Sequence, residues 1–116
     1  MALAQIRELE SKGLIQRSAR LGVYLRESLA SLNSLFTNIT LSARGSGLMV
    51  GAELRLRNGS PATTLGLRAI KQMLRRGYIL LPEGEQSNVI GFTPPLTISE
   101  RQLRAAVLVF AEVLQE

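Results

Sequence analysis

The sequence predicts a small α+β domain of two layers, in which helices pack on one mainly antiparallel or mixed sheet. Two patterns lead to this fold class. Apolar residues recur at helical spacing near both ends of the chain, whereas apolar and polar residues alternate through residues 48–57. Glycine, proline and asparagine divide the chain into the order α-α-β-β-α-β-β-α. With 116 residues and no visible linker or repeat, we expect one domain over residues 1–116.

The first third of the chain is predicted to form two helices. The first covers residues 2–11 and ends at Gly13, because a glycine followed by the apolar Leu14 is typical of the position just beyond a helix end. The second covers residues 15–32. The inward side chains at helical spacing are Leu3, Ile6 and Leu9 in the first helix and Leu21, Leu25, Leu29 and Leu32 in the second.

Two strands are predicted to follow. Residues 39–43 alternate between apolar and polar side chains, and the glycine-rich run 44–47 is expected to end this strand. Residues 48–57 alternate more regularly. The side expected to face the core consists of Leu48, Val50, Ala52, Leu54 and Leu56. The other side, expected to face solvent or another domain, consists of Met49, Gly51, Glu53, Arg55 and Arg57.

Two further helices are predicted in the second half. One begins near Pro61 and ends at Gly77. The other covers residues 100–114, and before it Ser99 and Gln102 have the spacing of a capping box, with Ile98 and Leu103 as its hydrophobic staple. The inward side chains are Leu65, Ala69, Ile70, Met73 and Leu74 in the first of these helices and Leu103, Ala106, Val107, Phe110 and Leu114 in the second.

Prolines mark the ends of the two remaining strands. Residues 78–81 are apolar and are expected to be closed by Pro82, after which a polar loop follows. Residues 89–93 form the last predicted strand. It must stop before Pro94 and Pro95, because proline fixes φ and has no amide hydrogen for a strand neighbour.

Several residue types that support catalysis are absent. The sequence contains no aspartate, histidine or cysteine, and its only lysines are Lys12 and Lys71. A metal site of histidine and cysteine is therefore excluded, as is a nucleophile activated by histidine. Glu83 and Glu85 are close in sequence, but they lie in a predicted turn, so we expect solvated carboxylates rather than a catalytic pair.

Composition also bounds the compartment and the partners. No secretory signal and no apolar run of about 20 residues is visible, and the lack of cysteine is compatible with a reducing compartment, so we expect a cytoplasmic protein without a membrane partner. The net charge is +5, but the arginines are scattered and not interleaved with aromatic residues. A nucleic-acid partner is therefore not expected.

The run Arg44-Gly45-Ser46-Gly47 has two possible roles. It lacks the pattern of a phosphate-binding loop and does not precede a predicted helix. In one interpretation, Gly45 and Gly47 are structural residues of a turn between two strands. In the other, Arg44 lies at a boundary with another domain and holds an anion or a carboxylate, which suits a guanidinium.

Three successive segments of the chain read "GLIQRSARLGVYLRESLASL", "ARGSGLMVGAEL" and "NVIGFTPPLTISERQL". In this order they resemble the class III pyridoxal-phosphate-dependent aminotransferases, which include the ornithine, acetylornithine and 4-aminobutyrate aminotransferases. The resemblance covers essentially the whole chain and is to the C-terminal small domain. It implies a domain that packs against a large cofactor-binding domain, in a homodimeric enzyme that transfers an amino group between an amino acid or ω-amino compound and a 2-oxo acid.

The resemblance also implies that essential parts of the site lie outside this region. Family members hold pyridoxal phosphate through a lysine, with an aspartate at the pyridinium nitrogen, and both belong to the large domain. This chain contains no aspartate, and Lys12 and Lys71 lie on predicted helix surfaces. We therefore expect the isolated chain to bind no pyridoxal phosphate, to contain no catalytic residue and to be inactive.

One position departs from the family pattern. Several members carry an arginine directly before the aromatic-Thr-Pro-Pro stretch, where it binds the α-carboxylate of the substrate. The matching residue here is Gly91, which has no side chain for this task. The resemblance then favours a substrate recognised through other groups, such as an ω-amino compound. Thr93 and Arg44 are further candidate pocket residues, and Pro94 and Pro95 are expected to be structural.

Two other classes of function stay open at this stage. The chain could be a free-standing basic module that binds nucleic acid or an acidic protein, which clustering of its arginines on one face would favour. It could also be a regulatory domain that binds a small molecule between copies of itself.

Overall fold

The structure is a computed structural model that describes residues 2–95 and 98–115, with side chains described at position 13 and from position 15 onward. Its elements are α1 (Ala2–Ser31), a 3₁₀ turn (Leu32–Leu35), β1 (Ile39–Ser46), β2 (Met49–Leu56), α2 (Thr63–Arg75), β3 (Leu81–Glu83), β4 (Val89–Phe92) and α3 (Glu100–Gln115). The predicted α+β class is confirmed, and the order of the elements agrees with the prediction.

The four strands form one antiparallel sheet in the order β1-β2-β4-β3. One face of the central strands is buried, and its residues are Val50, Ala52, Leu54, Ile90 and Phe92. The helices pack against this face, where the rings of Phe92 and Phe110 meet edge to face with centroids 5.1 Å apart. No helix among the described residues covers the opposite face. The domain therefore has two layers, as predicted, with one side of the sheet left open.

The first helix is continuous, so the predicted helix end at Gly13 is wrong. A glycine just beyond a helix end usually adopts a positive φ, and Gly13 is not among the glycines that do so. Glycine inside a helix costs only about 1 kcal/mol relative to alanine, which the hydrogen bonds of an uninterrupted helix offset. The predicted inward residues Leu3, Ile6 and Leu9 lie outside the described side chains, whereas Leu21, Leu25, Leu29 and Leu32 are buried as predicted.

The first hairpin is tighter than expected. β1 continues through Ser46 instead of ending at residue 43, and Ser46 pairs directly with Met49. The turn between the strands is therefore only Gly47 and Leu48. Gly47 adopts a φ of 55°, which glycine accommodates more readily than residues with a side chain.

The backbone of α1 lies directly on this hairpin. A Cβ atom added at Gly22 would lie 2.5 Å from the carbonyl carbon of Gly47 and 3.2 Å from its Cα atom. The helix can approach this closely only because both residues at the contact lack a side chain. Next to it, Arg26 of α1 donates a hydrogen bond of 2.8 Å from Nη1 to the carbonyl oxygen of Gly45.

The edge strand β3 lies later in the chain than predicted. It covers Leu81–Glu83 rather than residues 78–81, and Pro82 lies inside it instead of closing it. The residues before it complete the end of α2, because the amide of Tyr78 donates to the carbonyl oxygen of Met73 at 2.9 Å, as in a Schellman motif. Proline is tolerated within β3 because the outer side of an edge strand has no neighbouring strand to bond.

The capping box of α3 is confirmed. The amide of Ser99 donates to Oε1 of Gln102 at 2.9 Å, and the amide of Gln102 donates to Oγ of Ser99 at 3.1 Å. Five predicted inward positions are less buried than expected: Leu56 and Leu74 are exposed, and Leu65, Ile70 and Ala106 are half-buried. Leu56 and Leu74 lie at the ends of β2 and α2, where the packed layer no longer covers them. Two buried residues of α3 were not predicted, and these are Ala111 and Val113.

Replacing Gly22 with alanine is expected to destabilise the fold by about 3 kcal/mol, because the new methyl group would force α1 away from the hairpin. Urea unfolding followed by circular dichroism would measure the change. Gly13→Ala is the matched control, since it adds the same methyl group to the same helix where no atom lies within 4 Å. The control is expected to stabilise the chain by about 0.5–1 kcal/mol. Equal effects of the two substitutions would contradict the proposed role of the contact.

Candidate functional site

The candidate site lies on the uncovered side of the sheet, which we call the open face. Its residues are Arg44 of β1, Gly51, Glu53 and Arg55 of β2, Glu83 of β3, and Val89 and Gly91 of β4. The strand register places Arg44, Gly51 and Gly91 in one row, because Arg44 pairs with Gly51 and Gly51 pairs with Gly91. The alternation in the sequence correctly predicted which side of β2 faces away from the core.

Glu53 lies between two arginines on the open face. Its Oε2 atom is 2.7 Å from Nη2 of Arg44, and its Oε1 atom is 2.8 Å from Nε of Arg55. The hydrogen bond from Arg55 is the largest cause that holds the pKa of the Glu53 carboxyl below its ordinary value; partial burial opposes this lowering, and the charges of both arginines add to it. Arg44, a candidate for binding an anion, is therefore already paired with a carboxylate of its own domain.

Two glycines leave the middle of the open face without side chains. Gly51 and Gly91 are direct neighbours on β2 and β4, and the side chain of Glu83 lies across Gly91. A Cβ atom added at Gly91 would lie 2.7 Å from Cδ of Glu83 and 3.3 Å from its Cγ atom. Gly91 is consequently buried although it belongs to the open face. The absence of a side chain at Gly91 thus provides the space that Glu83 occupies.

These residues border a cleft of about 260 Å³, which we call the polar cleft after its charged and hydroxyl side chains, Arg44, Glu53, Glu83 and Thr93. Apolar surface in the same cleft comes from Met49, Val50, Val89 and Phe92. The cleft brings together two of the pocket residues named from the sequence, Arg44 and Thr93. The third, Gly91, lies directly beneath Glu83. The structural glycine Gly45 also lines the cleft.

Glu83 is the residue of this cleft that the sequence did not reveal. Its side chain is exposed, as expected, but Glu83 does not lie in a turn with Glu85: it belongs to β3 and pairs with Val89 of β4. Glu85 lies in the loop that follows and is exposed. In the sequence, the alternation of Leu81 and Glu83 is the one pattern that indicates a strand here. Pro82 between them indicates the end of a strand instead, so the alternation is easily missed.

The proline pair lies at a second, larger cavity of about 620 Å³. This cavity is mainly apolar, and its lining includes Tyr78, Leu80, Pro94, Pro95 and Leu103. Phe92 and Thr93 border both this cavity and the polar cleft. The end of β4 therefore separates a charged site on the open face from an apolar site next to α3.

The described residues offer binding groups rather than a metal centre. None of their acidic side chains form a group of three or more that could hold a metal ion. Lys71 is exposed on α2, and the side chain of Lys12 lies outside the described part of the chain. Within the same described residues, every helix is too short or too polar to cross a bilayer.

Comparison with known proteins gives consistent matches. The family model described as "Aminotransferase class-III" matches residues 1–114. The L-lysine-epsilon aminotransferase of Mycobacterium tuberculosis is 35% identical over 99 residues, which cover 85% of this chain and 20% of that protein. The mitochondrial ornithine aminotransferase of Oryza sativa subsp. japonica is 31% identical over 115 residues, which cover 99% of this chain and 24% of that protein.

A solved structure agrees with these matches. A phospholyase from Arthrobacter, in complex with phosphoethanolamine, superposes with a TM-score of 0.85 at 26% identity, over 98% of this chain and 27% of that chain. The chain thus spans about a fifth to a quarter of the length of the curated relatives it matches.

Replacing Glu53 with glutamine is expected to destabilise the domain by about 1 kcal/mol at pH 7, because two arginines lose their carboxylate. The folded state lowers the pKa of Glu53, so its contribution is present above the ordinary glutamate pKa and disappears as the pH falls through the lowered value. The difference between parent and variant should therefore vanish in acid. Urea unfolding at several pH values measures it, with the exposed Glu85→Gln as the control. A difference that persists unchanged at pH 2 would contradict this assignment.

Proposed function

Since this chain belongs to the class III aminotransferase family, we propose that it forms the C-terminal small domain of an enzyme that transfers an amino group between an amino acid or ω-amino compound and a 2-oxo acid. The observation that carries this proposal is the open face. Helices cover one face of the sheet, whereas the open face carries charged side chains and a cleft. This arrangement suits a domain whose open face contacts another part of the same enzyme.

The length of the chain supports the same proposal. It corresponds to about a fifth of the lysine aminotransferase and a quarter of the ornithine aminotransferase that it resembles. The remaining part of such an enzyme would cover the open face and place the substrate at the polar cleft. A second subunit, as in a homodimer, and a cytoplasmic location belong to this proposal.

We expect the family's cofactor to be held outside the described residues. Class III aminotransferases depend on pyridoxal phosphate, which carries the amino group and needs a lysine to hold it. Lys71 projects into solvent from α2, away from the polar cleft, and the sequence has no aspartate for the ring nitrogen. We therefore assign the cofactor to a separate large domain and expect no catalysis from this chain alone.

A basic binding module is the weaker alternative. Several arginines form hydrogen bonds within the domain: Arg57 donates to the carbonyl oxygen of Thr37, and Arg104 donates to the hydroxyl of Tyr24. On the open face, Arg44 and Arg55 share one glutamate. These contacts favour arginines that hold local structure over a surface that attracts an acidic partner.

The isolated chain is expected to take up no stoichiometric pyridoxal phosphate. Mixing the two, reducing with borohydride and measuring the mass of the intact protein would test this expectation. Lys71→Ala is the control for labelling of an exposed amine, and it should remove only a minor, substoichiometric product. A full equivalent of cofactor fixed at Lys71 or Lys12 would contradict the proposal that the cofactor site lies elsewhere.

The whole activity is tested with the polypeptide that joins this chain to a large domain containing the required lysine and aspartate. Loaded with pyridoxal phosphate, it is expected to form an amino acid from a 2-oxo acid in the presence of a primary amine, measured by chromatography. The same polypeptide without residues 1–116 should be inactive. Failure of the complete polypeptide with a broad panel of amines would refute the proposed function.

A further inference from the structure

The carboxylates of the polar cleft are matched unevenly by the arginines around them. The charged lining consists of one guanidinium, Arg44, and two carboxylates, Glu53 and Glu83. Arg55, which does not line the cleft, also binds Glu53 and brings the formal charge of these four groups to zero. Because both arginines are held at Glu53, a cation that enters the cleft is attracted most strongly at Glu83.

The two carboxylates of the cleft differ in how they are satisfied. Glu53 accepts hydrogen bonds from both Arg44 and Arg55. Glu83 makes no ion pair and no side-chain hydrogen bond with any of the described residues. Because both neighbouring arginines are already bound to Glu53, Glu83 is the carboxylate of the cleft that is left to bind a ligand.

The position of Glu83 is held from both sides. In the sheet, it pairs with Val89 across the β3–β4 ladder. The loop between these strands is tied to the rest of the domain, because Oγ1 of Thr63 donates to the carbonyl oxygen of Gln86 and Nδ2 of the buried Asn88 donates to the carbonyl oxygen of Leu54. These contacts position the backbone of Glu83, and its exposed side chain reaches the cleft from that fixed strand.

Glu83 can occupy this place only because residue 91 is glycine. A β-carbon there would be far inside van der Waals contact with the Glu83 carboxyl group. An arginine at position 91 and the present position of Glu83 are therefore mutually exclusive. The pair of Gly91 and Glu83 replaces a possible cation in the cleft by an anion.

We propose that Glu83 is the substrate-specificity residue of this domain and that the polar cleft binds the distal ammonium group of a diamine or a similar cationic amine. The hydroxyl of Thr93, in the same cleft, can accept a second hydrogen bond from that ammonium. The proposal rests on the proposed aminotransferase function, because it assigns the substrate class of the same site.

The test uses the complete enzyme that carries this chain, loaded with pyridoxal phosphate and supplied with a 2-oxo acid. Three kinds of donor are compared at each length from three to six carbons: the monoamine, the diamine and the ω-amino acid. They differ only in whether the far end is uncharged, positive or negative. At the best length, the diamine is expected to have the highest kcat/KM and the ω-amino acid the lowest.

Substitutions then assign the preference to its residue. Glu83→Gln keeps the shape of the side chain and is expected to lower the ratio of kcat/KM for the diamine to that for the monoamine by about 10- to 100-fold, the range of a lost charge-assisted hydrogen bond. Turnover of the monoamine should fall much less than turnover of the diamine, because the monoamine places no charge at the cleft. Glu83→Asp should retain part of the preference, and Glu85→Gln, in the exposed loop, should retain all of it.

The outcomes separate the two proposals. Turnover of the monoamine without a preference for the diamine, or a preference that Glu83→Gln leaves unchanged, would overturn the assignment of Glu83 while the aminotransferase function stands. Preference for the ω-amino acid would also overturn the assignment of Glu83. It would favour Arg44 as the residue that binds the carboxylate of the donor. If no donor yields an amino acid, the proposed function itself fails, and the assignment of Glu83 fails with it.

Discussion

The close approach of α1 to the first hairpin, at Gly22 and Gly47, determines how the helical layer lies on the sheet. Two backbones without side chains meet there, so any added atom would lift the helix from the turn. The same helix continues into the core through its buried leucines, and Arg26 ties it to the carbonyl oxygen of Gly45. Because this contact is made of backbone, it tolerates much less adjustment than an ordinary side-chain contact.

With all three helices on one side, the sheet can bind partners through its open face or its edges. The edges are protected. On β1, the amide of Leu41 donates to Oδ1 of Asn33 at 2.8 Å, which satisfies a donor that faces away from the sheet. On the other side, β3 is short and contains Pro82. Both devices oppose pairing with a further strand, so the open face is the surface that remains available.

The chemistry of the open face follows from two absent side chains. Gly51 and Gly91 lie side by side and leave a floor of backbone, over which Glu83 extends. In family members with an arginine before the proline pair, the same place would carry a positive charge. Here Arg44 and Arg55 are both bound to Glu53, and the carboxylate of Glu83 lies over Gly91 without an arginine in contact. The residue at position 91 of β4 therefore decides whether the carboxylate of Glu83 can lie at this place on the open face.

Local patterns in the sequence were sufficient to predict the fold class, the inward face of β2 and the capping box of α3, because each depends on residues only a few positions apart. The order of its segments also indicated the family, and Gly91 marked the unusual position. The three-dimensional structure was needed to see that α1 passes through Gly13, that Pro82 lies within an edge strand and that Glu83 covers Gly91. A glycine or a proline permits several local conformations, and the choice among them is made by hydrogen bonds and packing with segments distant in the chain. For the same reason, the unpaired carboxylate of the cleft could not be read from the sequence, since the residues that leave it unpaired lie on other strands.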